Sequence, residues 1–273
     1  MAECGLVNLG SCIIQKLFEF LLNILNAPSK PFLQLNLNLL SEPVNLDLFF
    51  SLWTIIIYLI SMSYALLIMY SGFNFIISGY DSAKRENAKN WLRNVILMII
   101  LVQSSFFLYK LVIDLSATLT SATLTLIDPN FFLLGTGGIT DIGLAFTFGF
   151  LYLITQILTA FVLLLRYGIV CIGVVFFPLA IFFYFIPALK EYGSLILNFL
   201  GTCIFITFID AVLLVGFSEL VNIGILSNMK IFVLISAFSL INLVMFFMMF
   251  FSIIKSAINA KAGVATLIAK AVA

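Results

Sequence analysis

The chain has 273 residues, of which 63% are hydrophobic and only 9% are charged, and its mean hydropathy is +1.24. Ordinary soluble domains carry about 25% charged residues, and a soluble core of this length could not bury so much apolar surface. The composition therefore excludes a soluble globular protein and predicts an all-α, polytopic membrane protein with about six transmembrane helices. The net charge of +1 indicates no particular partner.

The residue content also limits the chemistry. The chain has no histidine, which excludes histidine-ligated metal sites and the most common general base. Its four cysteines lack the paired spacing of a metal site, and we interpret them as small packing residues. The sequence has no nucleophile motif, nucleotide-binding loop or catalytically spaced pair of carboxylates. We therefore expect no enzymatic activity, no metal and no cofactor.

Residues 1–47 are predicted to lie at the membrane surface. Apolar residues recur at helical spacing as far as Leu25, but charged and amide side chains interrupt them. This pattern is typical of an amphipathic helix that lies on a membrane rather than one that crosses it. We expect Pro28 and Pro31 to end this helix, and residues 32–47 to form an irregular or interfacial segment.

Residues 48–113 are predicted to form a transmembrane hairpin. Its first span, about Leu48–Ser78, would be ~46 Å long as a helix and must tilt or protrude from a hydrocarbon layer ~30 Å thick. Its second span runs from about Leu92 to Ile113. We interpret Gly72 and Gly79 as structural turn residues near the end of the first span, with Gly79 free to adopt a positive φ.

The loop between these spans, residues 80–93, is the most highly charged part of the chain. Asp81 is placed to cap the second helix. Arg85, Lys89 and Arg93 follow at intervals of four and so form a stripe on one helix face, while Lys84 adds a fourth cation. One interpretation is a loop that anchors the hairpin by the positive-inside rule. The other is a contact surface for a polyanion or a partner protein.

Residues 114–141 are predicted to form a polar outer loop. It includes the tandem repeat SATLTSATLT, whose small and hydroxyl side chains suit close helix contacts. The glycines at 135, 137 and 138 do not form a phosphate-binding loop, because the required lysine and the preceding strand are missing.

Residues 142–254 are predicted to cross the membrane four times. The stretch 142–186 is too long for one crossing, so we expect a break at Arg166, where the side chain reaches headgroups or makes a second cytoplasmic contact. Pro178 is expected to kink the next span, and Pro187 to end it.

Two further spans, about 194–217 and 230–254, precede a separate lysine-containing tail helix at 255–273. A lone charge at Asp210 would cost about 2.5–3.5 kcal/mol at mid-membrane, so we expect it to be protonated or paired with Asn242 or Gln156. Its role is either a structural hydrogen bond or proton or ion coupling. The intramembrane polar candidates are Asp210, Asn198, Asn242 and Gln156.

Orientation follows from local rather than summed charge. The summed Lys and Arg counts on the two sides are nearly equal for six spans. Residues 80–93 hold four basic residues, whereas the loop at the other end of the second span is acidic, and short loops weigh most in the positive-inside rule. We expect the N-terminus outside and residues 80–93 in the cytoplasm.

The hairpin carries a family resemblance. Residues Gly72–Gly79, GFNFIISG, followed by a polar turn and by KRENAKNWLRN at 84–94, resemble the hairpin of type IV secretion and conjugative pilin-like membrane proteins. Arg166 before an apolar run with Pro178 and Pro187 is similar to polytopic subunits of conjugation systems, most of all to those of the archaeal Ced DNA-import system.

This resemblance, over about 48–217, implies a membrane channel or scaffold subunit for DNA transfer. It implies small two-helix pilin-like partners, a separate hexameric ATPase, and an outside N-terminus. DNA, membrane lipid and further copies of the chain are the other expected partners, and Lys84, Arg85, Lys89, Arg93 and Arg166 are the contact candidates. Two alternatives stay open: a secondary transporter of a small solute or ion, and a non-conducting assembly platform for pilin-like subunits.

Overall fold

In a computed structural model that describes residues 9–132, 142–223 and 229–272, the chain is helical, and these residues include no β-strand. Seven α-helices occur in the described ranges: α1 Leu9–Ser41, α2 Phe50–Ile77, α3 Ser82–Gln103, α4 Ser105–Leu124, α5 Ile142–Phe185, α6 Lys190–Val221 and α7 Lys230–Val272. The all-α prediction for a polytopic membrane protein is confirmed. Five of these helices, rather than six, are long and apolar enough to cross a membrane.

The chain forms two compact units. The first comprises Met1–Glu42, Ala117–Leu165 and Ile206–Phe246, and the second Pro43–Ser116, Arg166–Phe205 and Phe247–Ala273. Fully buried side chains of the first unit include Tyr152, Leu163, Leu214, Phe238 and Met245. Those of the second include Met98, Val102, Tyr109, Val170 and Cys203.

The predicted end of the first helix is wrong. Helix α1 continues through Pro28 and Pro31 to Ser41, so most of the segment predicted to be irregular is helical. Proline removes a backbone donor but has a φ close to the helical value, so tertiary contacts can hold such a helix together. Here Asn36 is buried, and its side-chain amide donates to the carbonyl oxygen of Gln156 in α5 at 3.2 Å.

The second predicted span is divided between two helices. Helix α3 ends at Gln103, α4 begins at Ser105, and Ser104 between them bonds back to the carbonyl oxygen of Ile100 through both its backbone N–H and its hydroxyl. Helix α4 continues to Leu124, so much of the predicted outer loop is helical. The tandem repeat lies mainly in this helix, where its Ser116 and Thr120 are buried.

The predicted break near Arg166 is also wrong. Helix α5 is continuous over 44 residues, or ~66 Å at 1.5 Å per residue, and passes through Pro178. Because two predicted spans merge, five helices of the described residues are long and apolar enough to cross a membrane. The helix ends before Pro187, which lies in the turn that leads to α6, as predicted.

The tail is not a separate helix, because α7 runs without interruption from Lys230 to Val272. Near its middle, α7 contacts α6, where the hydroxyl of Thr202 donates to that of Ser252 at 3.4 Å. These two residues are at similar distances along α6 and α7 from the short connection between the helices, so the helices run antiparallel.

Candidate functional site: the hairpin tip and the buried polar residues

The tip of the α2–α3 hairpin is built by local hydrogen bonds. After α2, residues Ser78–Tyr80 form one 3₁₀ turn, and Asp81 then adopts an extended conformation. The Asp81 carboxylate accepts hydrogen bonds from the backbone N–H of Ala83 at 3.0 Å and of Lys84 at 3.5 Å. The predicted N-cap is confirmed. Gly79 belongs to the 3₁₀ turn and does not use the positive φ that is open to glycine.

The basic stripe lies on the exposed face of α3. Arg85, Lys89 and Arg93 are all exposed, and at about 100° per residue they cover an arc of roughly 80°. None of the three makes an ion pair with a residue that the structure describes. Glu86, also exposed, is the acidic residue nearest to them along the helix. The stripe is therefore a solvated cationic surface beside an apolar hairpin.

Lys84 does not belong to this stripe. It shares a helix face with Ala88 and Trp91, and lies about 140° from the centre of the stripe. These three residues line a cavity, whereas Arg85, Lys89 and Arg93 do not. The sequence grouped four cations, and the packing of α3 separates one of them from the other three.

This hairpin cavity has a volume of about 550 Å³. The α2 side contributes Tyr70, Asn74, Ile77 and Ser78, the α3 side Lys84, Asn87, Ala88 and Trp91, and the α5–α6 turn Ile186, Pro187 and Ala188. The tip of the hairpin and the α5–α6 turn therefore lie at the same end of the second unit. This cavity was not predicted from the sequence, although Lys84, Ala88 and Trp91 have the spacing of a single helix face.

Trp91 is the residue of the cavity wall whose side chain has a buried donor without a hydrogen bond in the described residues. Its ring makes an edge contact with Tyr70, with ring centroids 6.1 Å apart and an interplanar angle of 84°. Its Nε1–H is shielded from solvent and has no hydrogen-bond acceptor in the described residues. An indole N–H is a donor only, so a buried one without an acceptor is unfavourable.

Arg166 is in a different place from that predicted. It is buried inside the second unit, with 4% of its surface exposed, about 30 Å along α5 from the α5–α6 turn. Its Nε–H donates to the carbonyl oxygen of Cys203 at 2.7 Å, and its Nη2 donates to that of Ile204 at 3.1 Å. Neither a headgroup contact nor a cytoplasmic contact is available to a side chain in this position.

Three of the four intramembrane polar candidates lie in the first unit. Gln156, Asp210 and Asn242 are all buried there. The side-chain amide of Asn242 donates to the carbonyl oxygen of Thr155 at 3.4 Å, whereas the side-chain amide of Gln156 makes no hydrogen bond within the described residues. Asn36 joins this set through its bond to the Gln156 backbone, which the sequence did not indicate.

The remaining candidates, Asn198 and Gly72, make no long-range contact within the described residues that would indicate a functional role. Asn198 is exposed in the second unit, and its amide donates to the hydroxyl of Ser194 at 3.3 Å. Gly72 is exposed inside α2, and an added methyl group would meet no atom within 4 Å there. Gly72 therefore neither breaks the helix nor permits a close contact.

No protein-family model, curated protein or solved structure matches this chain. The assignment of function therefore depends on the residues themselves.

Proposed function

We propose that this chain is an integral membrane subunit of a DNA-transfer machine and that Arg85, Lys89 and Arg93 contact the phosphates of the transferred DNA. The observation that carries the proposal is the stripe itself: three exposed cations without ion-pair partners among the described residues, on one face of a helix that continues into an apolar span. Phosphate contacts by Lys and Arg supply affinity for DNA without sequence preference, which suits a conduit.

The distribution of charge supports an orientation in which this stripe faces the cytoplasm. The hairpin tip and the α5–α6 turn lie at one end of the second unit, and with five crossings the residues after the last span would lie on the same side of the membrane as both. The basic residues of these segments are Lys84, Arg85, Lys89, Arg93, Lys190, Lys255, Lys261 and Lys270. They are eight of the 13 Lys and Arg residues, and the positive-inside rule assigns such an end to the cytoplasm. The α6–α7 connection and the start of α2 then face outward.

We do not expect one copy of the chain to enclose a water-filled channel for DNA, because the described buried residues of each unit are mainly apolar. We therefore propose that the stripes of several copies, or the stripe together with small two-helix pilin-like subunits, surround the DNA. A hexameric ATPase on the cytoplasmic side would supply the energy for import.

Charge reversal of the stripe tests the proposal. The triple variant Arg85→Glu, Lys89→Glu, Arg93→Glu should insert normally and lose most DNA transfer in cells that carry the complete machine. The control is Lys190→Glu, an exposed cation at the start of α6 outside both the stripe and the hairpin cavity, which should keep most of the transfer. Membrane fractionation and quantification of the protein separate a loss of transfer from a loss of insertion. Unchanged transfer in the triple variant would refute the DNA contact.

Salt dependence provides a second readout. For duplex DNA, the slope of log affinity against log salt concentration decreases in magnitude by about 0.9 for each phosphate that the protein no longer neutralises. Replacement of the three stripe residues by Ala should therefore reduce the slope by about 2–3. A weaker affinity with an unchanged slope would show that the stripe does not contact phosphates.

A second candidate function is transport of a small solute or ion, favoured by the polar side chains buried in the first unit. Asn36, Gln156 and Asn242 each keep a buried amide atom without a hydrogen bond in the described residues, which is costly in an apolar interior. Asp210 would be the coupling residue. Proteoliposomes loaded with a pH-sensitive dye should then show proton flux that Asp210→Asn abolishes, and absence of flux in the wild type would exclude proton coupling.

A further inference from the structure

The hairpin cavity combines a cation with several hydrogen-bond donors. Lys84 has three N–H donors, and Asn74 and Asn87 each carry an amide N–H₂. The lining residues include no acidic side chain. Of the two acidic residues close to Lys84 in sequence, Glu86 does not line the cavity, and Asp81 turns its carboxylate toward the backbone N–H groups at the start of α3. The polar part of the cavity therefore suits an anion.

Trp91 contributes its aromatic ring to the cavity wall. Its Nε1–H is shielded from solvent, so the part of Trp91 that a ligand in the cavity can contact is the ring. An amphipathic Trp is the residue type that is enriched at the headgroup level of membranes.

The rest of the wall is apolar and lies where a span ends. Ile77 is the last residue of α2, and Ile186, Pro187 and Ala188 form the turn after α5. A soluble anion would gain nothing from these side chains, whereas the glycerol and first acyl carbons of a lipid would contact them. The cavity thus presents its cation and its apolar wall side by side at the level where a phospholipid has its phosphate and its glycerol.

We propose that the hairpin cavity binds the headgroup of an anionic phospholipid, with Lys84 as the charged donor to the phosphodiester and the Trp91 ring beside it. This inference goes beyond the proposed function and does not depend on it, because Lys84 lies on the opposite face of α3 from the DNA-contact stripe. Lipid bound here would hold the hairpin tip against the α5–α6 turn.

The test uses Trp91 as a reporter in the full chain. The chain has two tryptophans, so Trp53→Phe leaves Trp91 as the single fluorophore. In detergent, short-chain phosphatidylglycerol should change this fluorescence saturably, and short-chain phosphatidylcholine should bind at least tenfold more weakly because its headgroup has no net charge. Lys84→Ala should weaken the phosphatidylglycerol affinity about tenfold, as expected for removal of one charge-assisted hydrogen bond. The matched control Lys89→Ala should stay within twofold.

Four other results would refute the proposal. An equal decrease in affinity in Lys84→Ala and Lys89→Ala would indicate general surface electrostatics, and competition by inorganic phosphate at equal concentration would assign the cavity to a soluble anion. Competition by a short oligonucleotide would make the cavity part of the DNA surface. Native mass spectrometry of the chain without the Trp53→Phe change should show retained anionic phospholipid that is absent from Lys84→Ala, and retention in this variant would also refute the site.

Discussion

The Nε–H of Arg166 in α5 donates a hydrogen bond to the backbone carbonyl oxygen of Cys203 in α6, at 2.7 Å. The neighbouring carbonyl oxygen of Ile204 accepts from the same guanidinium at 3.1 Å and from the Ser116 hydroxyl of α4 at 2.8 Å. Three helices of the second unit therefore meet at two backbone carbonyl groups. This contact explains how a charged residue can occupy the interior of a continuous apolar helix.

Arg166→Lys should destabilise the protein by about 1–3 kcal/mol. Lysine retains the buried charge but lacks the planar fork that reaches two carbonyl groups, and hydrogen bonds to charged groups are worth about 1.5–3 kcal/mol. Thermal unfolding in detergent measures the effect. The same change at exposed Arg93 is the control and should stay within about 0.5 kcal/mol. Equal stability of the two variants would show that the fork is not needed.

Two adjacent serines at the start of α4 should respond differently to substitution. The Nε1–H of Trp53 donates to the hydroxyl of Ser105 at 2.9 Å in a buried position, so Ser105→Ala leaves a buried donor unpaired at a cost of about 1–3 kcal/mol. Ser104 bonds to the carbonyl oxygens of its own helix turn, and Ser104→Ala should change stability by less than about 0.5 kcal/mol. The fluorescence maximum of Trp53 should shift in the first variant only.

Two glycines of α6 provide a matched pair. A methyl group at Gly193 would collide with backbone atoms of Ala180 and Tyr184 in α5, which cannot yield as a flexible side chain can. Gly201 has no atom within 4 Å of that position. Gly193→Ala should therefore lower the melting temperature, and Gly201→Ala should leave it unchanged or raise it, because Ala is the better helix former by up to about 1 kcal/mol. A neutral Gly193→Ala would contradict the close packing of α5 and α6.

Cysteine labelling in intact cells tests the topology. Ser82→Cys at the hairpin tip and Ala262→Cys in the second half of α7 should be labelled from the same side of the membrane, and Asn222→Cys in the α6–α7 connection from the other. The orientation proposed above puts the first two inside, so only Asn222→Cys should react with a membrane-impermeant reagent. Labelling of Ser82→Cys and Ala262→Cys from opposite sides would restore the six-span arrangement.

Features that depend on neighbours along the chain could be predicted. The composition determined a helical membrane protein, the Asp81 cap follows from a residue type and its position, and the stripe from Arg85 to Arg93 follows from intervals of four. These predictions need only the geometry of one helix, in which residues four apart lie on one face. The proline in the α5–α6 turn was predictable for the same reason.

The tertiary structure alone decided where helices end and which side a charge faces. Sequence rules end a helix at Pro28 and break α5 at Arg166, but contacts of Asn36 with Gln156 and of Arg166 with Cys203 join residues 120 and 37 positions apart. Lys84 is next to Arg85 in the sequence and carries the same charge, yet its face of α3 forms a cavity wall together with the α5–α6 turn. The physical reason is that hydrogen-bond partners and burial are supplied by distant segments, so local patterns specify the helices and only their packing assigns each polar side chain an environment.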